Sequence, residues 1–197
     1  MDTATTRANI ELCRRAMAVM STGEPADFAA VFHPEATNRE ARTEPPPCRG
    51  RGWQAFHATA LWLRSAHSGL RWEIHDAVGD GDLVALHVTM SGRQTGPFVT
   101  YGPDGLPARA MPATGRTFAV RQTHWFRTSG GLILEHWANR DDLGLARQLG
   151  WTPPTPLFRV RAALAGRAAR RRARDTARGR SKGEGGDRAE STKASVG

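Results

Sequence analysis

RQTHWFRTSGGLILEHWANRDDLGLARQLGW, residues 121–151, is the stretch that decides how this chain folds. Together with the residues just before it, it forms two runs, 117–127 and 132–139, joined by Ser129-Gly130-Gly131. In the first run Phe118, Val120, Gln122, His124 and Phe126 recur at every second position, the period of a strand with one buried face. A short Gly-containing connection between two such runs predicts an antiparallel hairpin. Residues 142–149 then read as a short helix that Gly150 stops in the usual position after the last turn.

Working toward the N-terminus, the same period recurs. In residues 83–95, Val84, Leu86, Val88 and Met90 share one face, and His87, Thr89, Ser91 and Arg93 the other. In 70–78, Leu70, Trp72 and Ile74 alternate with Arg71, Glu73 and His75, and Gly79-Asp80-Gly81 joins the two runs as a second hairpin. Residues 96–116 are Gly- and Pro-rich, and we read them as a long connection near a site mouth. The period changes further upstream. Trp53, Phe56, Ala60 and Leu63 have helical spacing over 53–66, as do Ile10, Met17 and Met20 over 6–21, where Gly23 ends the run. A short helix fits 26–32, closed by His33-Pro34 because proline disfavours helix in the residue before it. Residues 40–50 are a loop stiffened by Pro45-Pro46-Pro47. Helices first, then two hairpins, then a closing helix make an α+β fold. Helices on one face of a curved antiparallel sheet form a cone with a pocket between the layers.

The chain of 197 residues carries a net charge of +9, but its last 47 residues hold 12 basic and 4 acidic side chains, a net of +8. Residues 1–151 are therefore an electrically ordinary domain, and residues 152–197 a Pro-rich linker followed by a basic tail. The tail's Arg/Ala stretch could form a transient helix, and beyond Arg178 its Gly, Ser and charge content predicts disorder, so the tail is expected to be largely disordered. That uneven distribution excludes a nucleic-acid-binding reading of the whole chain. It leaves the tail a possible contact with nucleic acid or an anionic surface. No secretory signal or membrane span is expected, since the early apolar stretches fall well short of ~18 residues. Cys13 and Cys48 form no CxxC, so we expect reduced thiols and a cytoplasmic protein. Both lysines, Lys182 and Lys193, lie in the tail, which removes Schiff-base and P-loop chemistry from the domain.

Several residues could carry chemistry. His124 and Gln122 are polar positions on an apolar strand face, where an imidazole exchanges protons near neutral pH. A lone histidine of this kind is more often a satisfied core residue, and spacing alone favours that reading. His136 has the parity of Leu132 and Leu134, and the short turn brings it toward His124 provided the register does not slip by one. Asp141 or Asp142 could act as an acid/base at a pocket rim, or cap the last helix. Arg93 and His87 could contact a carbonyl, or make cross-strand and subunit contacts. Asn38 and Glu40 are weaker pocket candidates. Phe118 and Phe126 would line the pocket, Trp53, Trp62 and Trp72 pack, and Trp125 and Trp137 stay open. Seven histidines show no His-x-His or His-x3-His spacing, so no metal is expected.

Residues 121–151, with FHPEATN at 32–38, RG at 51–52, SGRQTGPF at 91–98 and PATGRTF at 112–118, resemble the SnoaL-like polyketide cyclase (ester cyclase) family of the nuclear-transport-factor-2-like superfamily. The resemblance covers about 150 residues in order. It implies a cone-shaped α+β barrel with a deep apolar pocket, a homo-oligomer (dimer or tetramer), and no metal or organic cofactor. It also implies intramolecular aldol closure of a small hydrophobic polyketide ester by acid/base chemistry. The family's pocket histidines fall on His124 and His136. Its catalytic aspartate falls on Ala138, and a second acidic position on Asp141. With the strand-face reading, the candidate catalytic residues are His124 and Asp141, either of which could have taken over the role of base. The candidate substrate contacts are Arg93, Gln122, His136, Phe118, Phe126 and Trp137. Ala138 keeps open a second reading, a non-catalytic protein of the same fold that binds a small hydrophobic ligand.

Overall fold

The computed structural model describes residues 3–193, with side chains described as far as residue 177. Helix α1 (Thr3–Thr22) buries Leu12, Cys13, Ala16, Met17 and Val19 on one stripe. Its C-terminal carbonyls are closed from outside: the Arg64 guanidinium donates to the carbonyls of Val19, Met20 and Gly23 at 2.7, 3.0 and 3.0 Å. Arg64 belongs to α3 (Trp53–Ala66), which follows the expected bounds. Between them, α2 (Pro25–Ala29) is shorter than the helix expected over 26–32.

The difference arises because Phe32–Asn38 is a strand, β1, which pairs in parallel with the last strand. Pro34 within it argued for a boundary, yet β1 is an edge strand whose register is interrupted between Phe32 and Thr37, so no ladder bond needs a proline N–H. Strands β2 (His67–Asp80) and β3 (Leu83–Gln94) form the first hairpin. A register shift between Ile74 and Asp76 then turns Ala77 inward and leaves Val78 65% exposed. The expected connection over 96–116 contains a small two-stranded sheet, β4 (Phe98–Tyr101) with β5 (Pro107–Met111). Strands β6 (Thr117–Ser129) and β7 (Leu132–Arg140) form the second hairpin, and α4 (Asp142–Gln148) closes the domain.

The large sheet has the order β1-β7-β6-β3-β2, antiparallel except at the β1 edge, and is curved and unclosed. The three N-terminal helices pack against the sheet and share a core with it. One core cluster joins Leu12, Cys13, Phe28, Phe32, Phe56, Leu86 and Phe126, with the largest of these side chains almost fully buried. Each such large apolar side chain contributes roughly 1.5–3 kcal/mol by leaving water. A smaller cluster joins Leu70, Met90, Phe118, Val120 and Leu149 near α4. Trp72 packs against both, and the space between them is not filled by side chains.

Beyond α4, residues Pro156–Lys193 run as a helix, α5, where the composition predicts a linker and a largely disordered tail. Its first half lies against β5: Arg161 donates to the Ala113 carbonyl at 2.8 Å and Arg170 to that of Pro107 at 3.3 Å. Among the described residues, no helix is long and apolar enough to cross a membrane.

Candidate active site

The cavity between the two clusters has a volume of about 570 Å³. Its walls come from every layer: Met17 and Met20 from α1, Phe56 and Trp62 from α3, and Trp72 and Phe126 from the sheet. The small β4–β5 sheet and α4 border it through Phe98, Tyr101 and Leu145. Apolar walls with few polar groups suit a hydrophobic ligand of drug size or smaller.

Strand register sets the polar wall. Opposite residues on β6 and β7 pair as His124 with Ala138, Trp125 with Trp137, and Phe126 with His136, so both histidines face the cavity. They are in contact, His124 Nδ1 lying 2.9 Å from His136 Nε2. The contact belongs to a longer chain. His124 Nε2 lies 2.8 Å from Gln122 Oε1, which also accepts from the Trp72 indole N–H at 3.3 Å. His136 Nδ1 lies 3.0 Å from Asn38 Oδ1, which accepts from the Glu40 backbone N–H at 3.1 Å. Burial pushes the His124 pKa down to about 3, and the positive charge of Arg140 adds to the effect. His136 is lowered well below the usual imidazole value, again mainly by burial, with His124 and Arg140 acting in the same direction. Both rings are uncharged at neutral pH, and the wall holds two proton acceptors in apolar surroundings.

Carboxylates stand nearby. Glu40 accepts from the Ala138 backbone N–H and pairs with Arg140, each at 3.3 Å, so a carboxylate borders the position where the resemblance puts the family's aspartate. Glu44 is 3% exposed, takes a hydrogen bond of 2.5 Å from Thr59, and lines the cavity. Burial raises its pKa, although Thr59, Arg140 and Cys48 oppose the shift. His67 donates through Nδ1 to the Leu63 carbonyl at 3.0 Å, which leaves its buried Nε2 without a hydrogen-bond partner.

Of the site residues expected from sequence, the cavity gathers His124, Gln122, His136 and Phe126. Asn38 and Glu40, the weaker candidates, and Asp142, the second rim carboxylate, line it as well. It does not gather the rest. Asp141 is exposed and accepts from the Gly144 N–H at 2.7 Å as the N-cap of α4. Arg93 donates to the Gly115 carbonyl at 2.7 Å and borders a shallow groove on the outer surface. Phe118 is buried in the smaller core cluster against His67. Trp137 lies on the outer sheet face, stacked on Trp125 at 6.2 Å with the Arg39 guanidinium 4.8 Å above it. Trp62 and Trp72, read from sequence as packing residues, line the cavity, and Glu44 was missed altogether. Among the described residues, no group of three or more His, Cys, Asp or Glu side chains is arranged to hold a metal ion.

Known proteins share this sequence pattern and fold. Residues 10–149 match the family model of the SnoaL-like polyketide cyclase. The chain is 35% identical over 148 residues to aklanonic acid methyl ester cyclase DnrD of Streptomyces peucetius, covering 75% of this chain and 94% of that one. The structure of TsrD from Streptomyces laurentii superposes with a TM-score of 0.60 at 31% identity, over 76% of this chain and 98% of that one. A nuclear-transport-factor-2-like protein from Burkholderia thailandensis matches with a TM-score of 0.51 at 20% identity, covering 72% and 96% of the two chains, a likeness of fold alone. On sequence, fold and cavity together, the chain belongs to the SnoaL-like polyketide cyclase family.

Proposed function

We propose that this protein closes a ring in a hydrophobic polyketide ester by an intramolecular aldol reaction, using acid/base groups of its own chain. The observation that carries the reading is the pair of uncharged imidazoles in contact on the wall of an apolar cavity. A neutral imidazole accepts the proton of a carbon flanked by ketone and ester carbonyls, and the C–H electron pair becomes the enolate. The enolate carbon attacks a second carbonyl of the same molecule, forming a C–C bond and leaving an alkoxide. The imidazolium returns the proton to that oxygen. Product and substrate are isomers, and no redox partner is needed. Positioned acid/base catalysis contributes typically 10²–10⁴-fold, and folding the chain into a reactive geometry away from water adds to it. Aklanonic acid methyl ester, in the relative's name, is the kind of substrate this cavity would take.

In this reading residues 1–151 are the catalytic domain, His124 and His136 exchange the proton, and Gln122 and Phe126 bound the substrate. Asp141 serves α4. The protein works in the cytoplasm as a homo-oligomer (dimer or tetramer), a reading supported by the half-buried Trp125–Trp137 stack on the outer sheet face. Residues 152–197 bring arginines that suit an anionic surface such as nucleic acid.

Deuterium wash-in tests the chemistry. In D2O, the full chain should exchange the acidic carbon of β-keto esters, followed by proton NMR. A variant with both His124→Gln and His136→Gln should lose at least about 100-fold of that rate. An undiminished rate in the folded double variant contradicts the proposal.

A further inference from the structure

The hydrogen-bond chain along the cavity wall has a direction, and from it we infer that His136 Nδ1 is the atom that takes the proton, with Trp72, Gln122 and His124 fixing its tautomer. This rests on the reading of the site as an acid/base centre. The Trp72 indole N–H can only donate, so Gln122 must turn its oxygen toward it. Its amide nitrogen then meets Met90 Sδ at 3.2 Å. Turning the amide over would set N–H against N–H. The same oxygen faces His124 Nε2 at 2.8 Å, so Nε2 carries the hydrogen and donates. A neutral imidazole has one N–H, so His124 Nδ1 is bare and accepts from His136 Nε2–H at 2.9 Å. His136 Nδ1 is then bare as well.

Its neighbour does not satisfy it. Asn38 Oδ1, 3.0 Å away, is held in place by the Glu40 N–H, so two lone pairs face each other at this end of the chain. Turning the Asn38 amide over would give up the Glu40 bond. Four ring nitrogens make three contacts with only two protons, and one contact must go without. Gln122 and His124 are buried, whereas Asn38 and His136 are half-buried. An unmade hydrogen bond costs most where water is excluded, so the proton is missing at the Asn38 end. A gap in the middle would set two bare nitrogens against each other at 2.9 Å.

Proton transfer adds a hydrogen bond to the chain, which offsets part of the burial and Arg140 effects that hold His136 neutral. Moving the Asn38 amide aside costs His136 no hydrogen bond, since none exists there. When the substrate C–H bond breaks and its proton forms an N–H bond at His136 Nδ1, the electron pair stays on the substrate as enolate. All three contacts of the chain can then be hydrogen bonds. With the Asn38 amide back in place, that added contact stabilises the enolate–imidazolium pair rather than tightening ground-state binding. Arg140 and its partner Glu40 are the charged pair bordering this end of the site.

Ring-nitrogen NMR of the full chain, labelled with 15N-histidine, reads the tautomers at neutral pH without any substrate. The expected result is both His124 and His136 in the Nε2–H form, with His136 Nδ1 bare. His136 in the Nδ1–H form overturns the inference. Gln122→Met removes the oxygen that sets the direction while keeping side-chain bulk. It should mix the two tautomers of both rings and lower kcat for wash-in about 10-fold with little change in KM. Unchanged tautomers in a folded Gln122→Met protein also overturn it. Correct tautomers without wash-in on any ester would contradict the cyclase reading and the role of His136 as base together. Wash-in with the wrong tautomer would remove this assignment alone.

Discussion

His67, His124 and His136 are imidazoles pushed toward neutrality by burial, and this ties the protein's stability to pH. The folded pKa of His124 lies near 3, against 6.5 for a free side chain. A group depressed in this way contributes its full stability above 6.5 and loses it as pH falls from there toward the folded value. The slope is at most about 1.4 kcal/mol per pH unit for each such site. Urea midpoints should therefore fall steeply between pH 7 and pH 5, and a folded His124→Gln variant should show a shallower decline. Glu44 works in the opposite sense: its raised pKa favours the fold at low pH, and that contribution is lost as pH rises through the folded value. At this scale the sequence was legible where parity spoke. Gln122, His124 and Phe126 are alternate residues of one strand, but His136 joins them only because the β6–β7 ladder shifts by one residue between Arg127 and Thr128. The register of the turn alone would set it opposite Trp125 on the outer face. Glu44 was not legible, because a carboxylate in an irregular, proline-rich loop has no periodicity to mark it as buried.

Elements were legible according to how much periodic burial they carry. Helix α3 matched its expected bounds, and β3, β6 and β7 came within a few residues, since α3, β3 and β6 each present a buried face to the core and a short turn ties β7 to β6. Strand β1 is paired along one side only, has an interrupted register and contains a proline, so its seven residues carry little alternation. Strands β4 and β5 have four and five residues, too few for a period to show against their Gly- and Pro-rich surroundings. Helix α4 was legible, but the role of the residue before it was not: Asp141 can cap a helix or serve a cavity, and only the fold shows which way it points. Asp141→Ala should therefore cost about 1 kcal/mol of stability through the lost cap. Its wash-in rate should stay within about twofold of wild type, whereas a loss of 100-fold would return Asp141 to the chemistry.

At the scale of the whole molecule, the α+β cone was readable from the order of helices and strands, and the cavity follows from two core clusters that do not meet. The path of the chain after α4 was not readable. An Arg- and Ala-rich segment signals little about tertiary contact, yet α5 lies along β5 through guanidinium–carbonyl hydrogen bonds. Arg171, Arg172 and Arg174 remain exposed on it. If the helix meets a polyanion, replacing these three with Gln should flatten the log–log salt dependence of binding to a DNA duplex by about 3, roughly one unit for each phosphate contact. An unchanged slope would take these side chains out of that contact. The central claim concerns the cavity, and ring closure tests it most directly. Aklanonic acid methyl ester should be converted by the full chain into an isomer of the same mass with a new chromatographic position. The folded His136→Gln variant should be at least about 100-fold slower. Recovery of the ester unchanged from a wild-type protein shown to bind it would contradict the account.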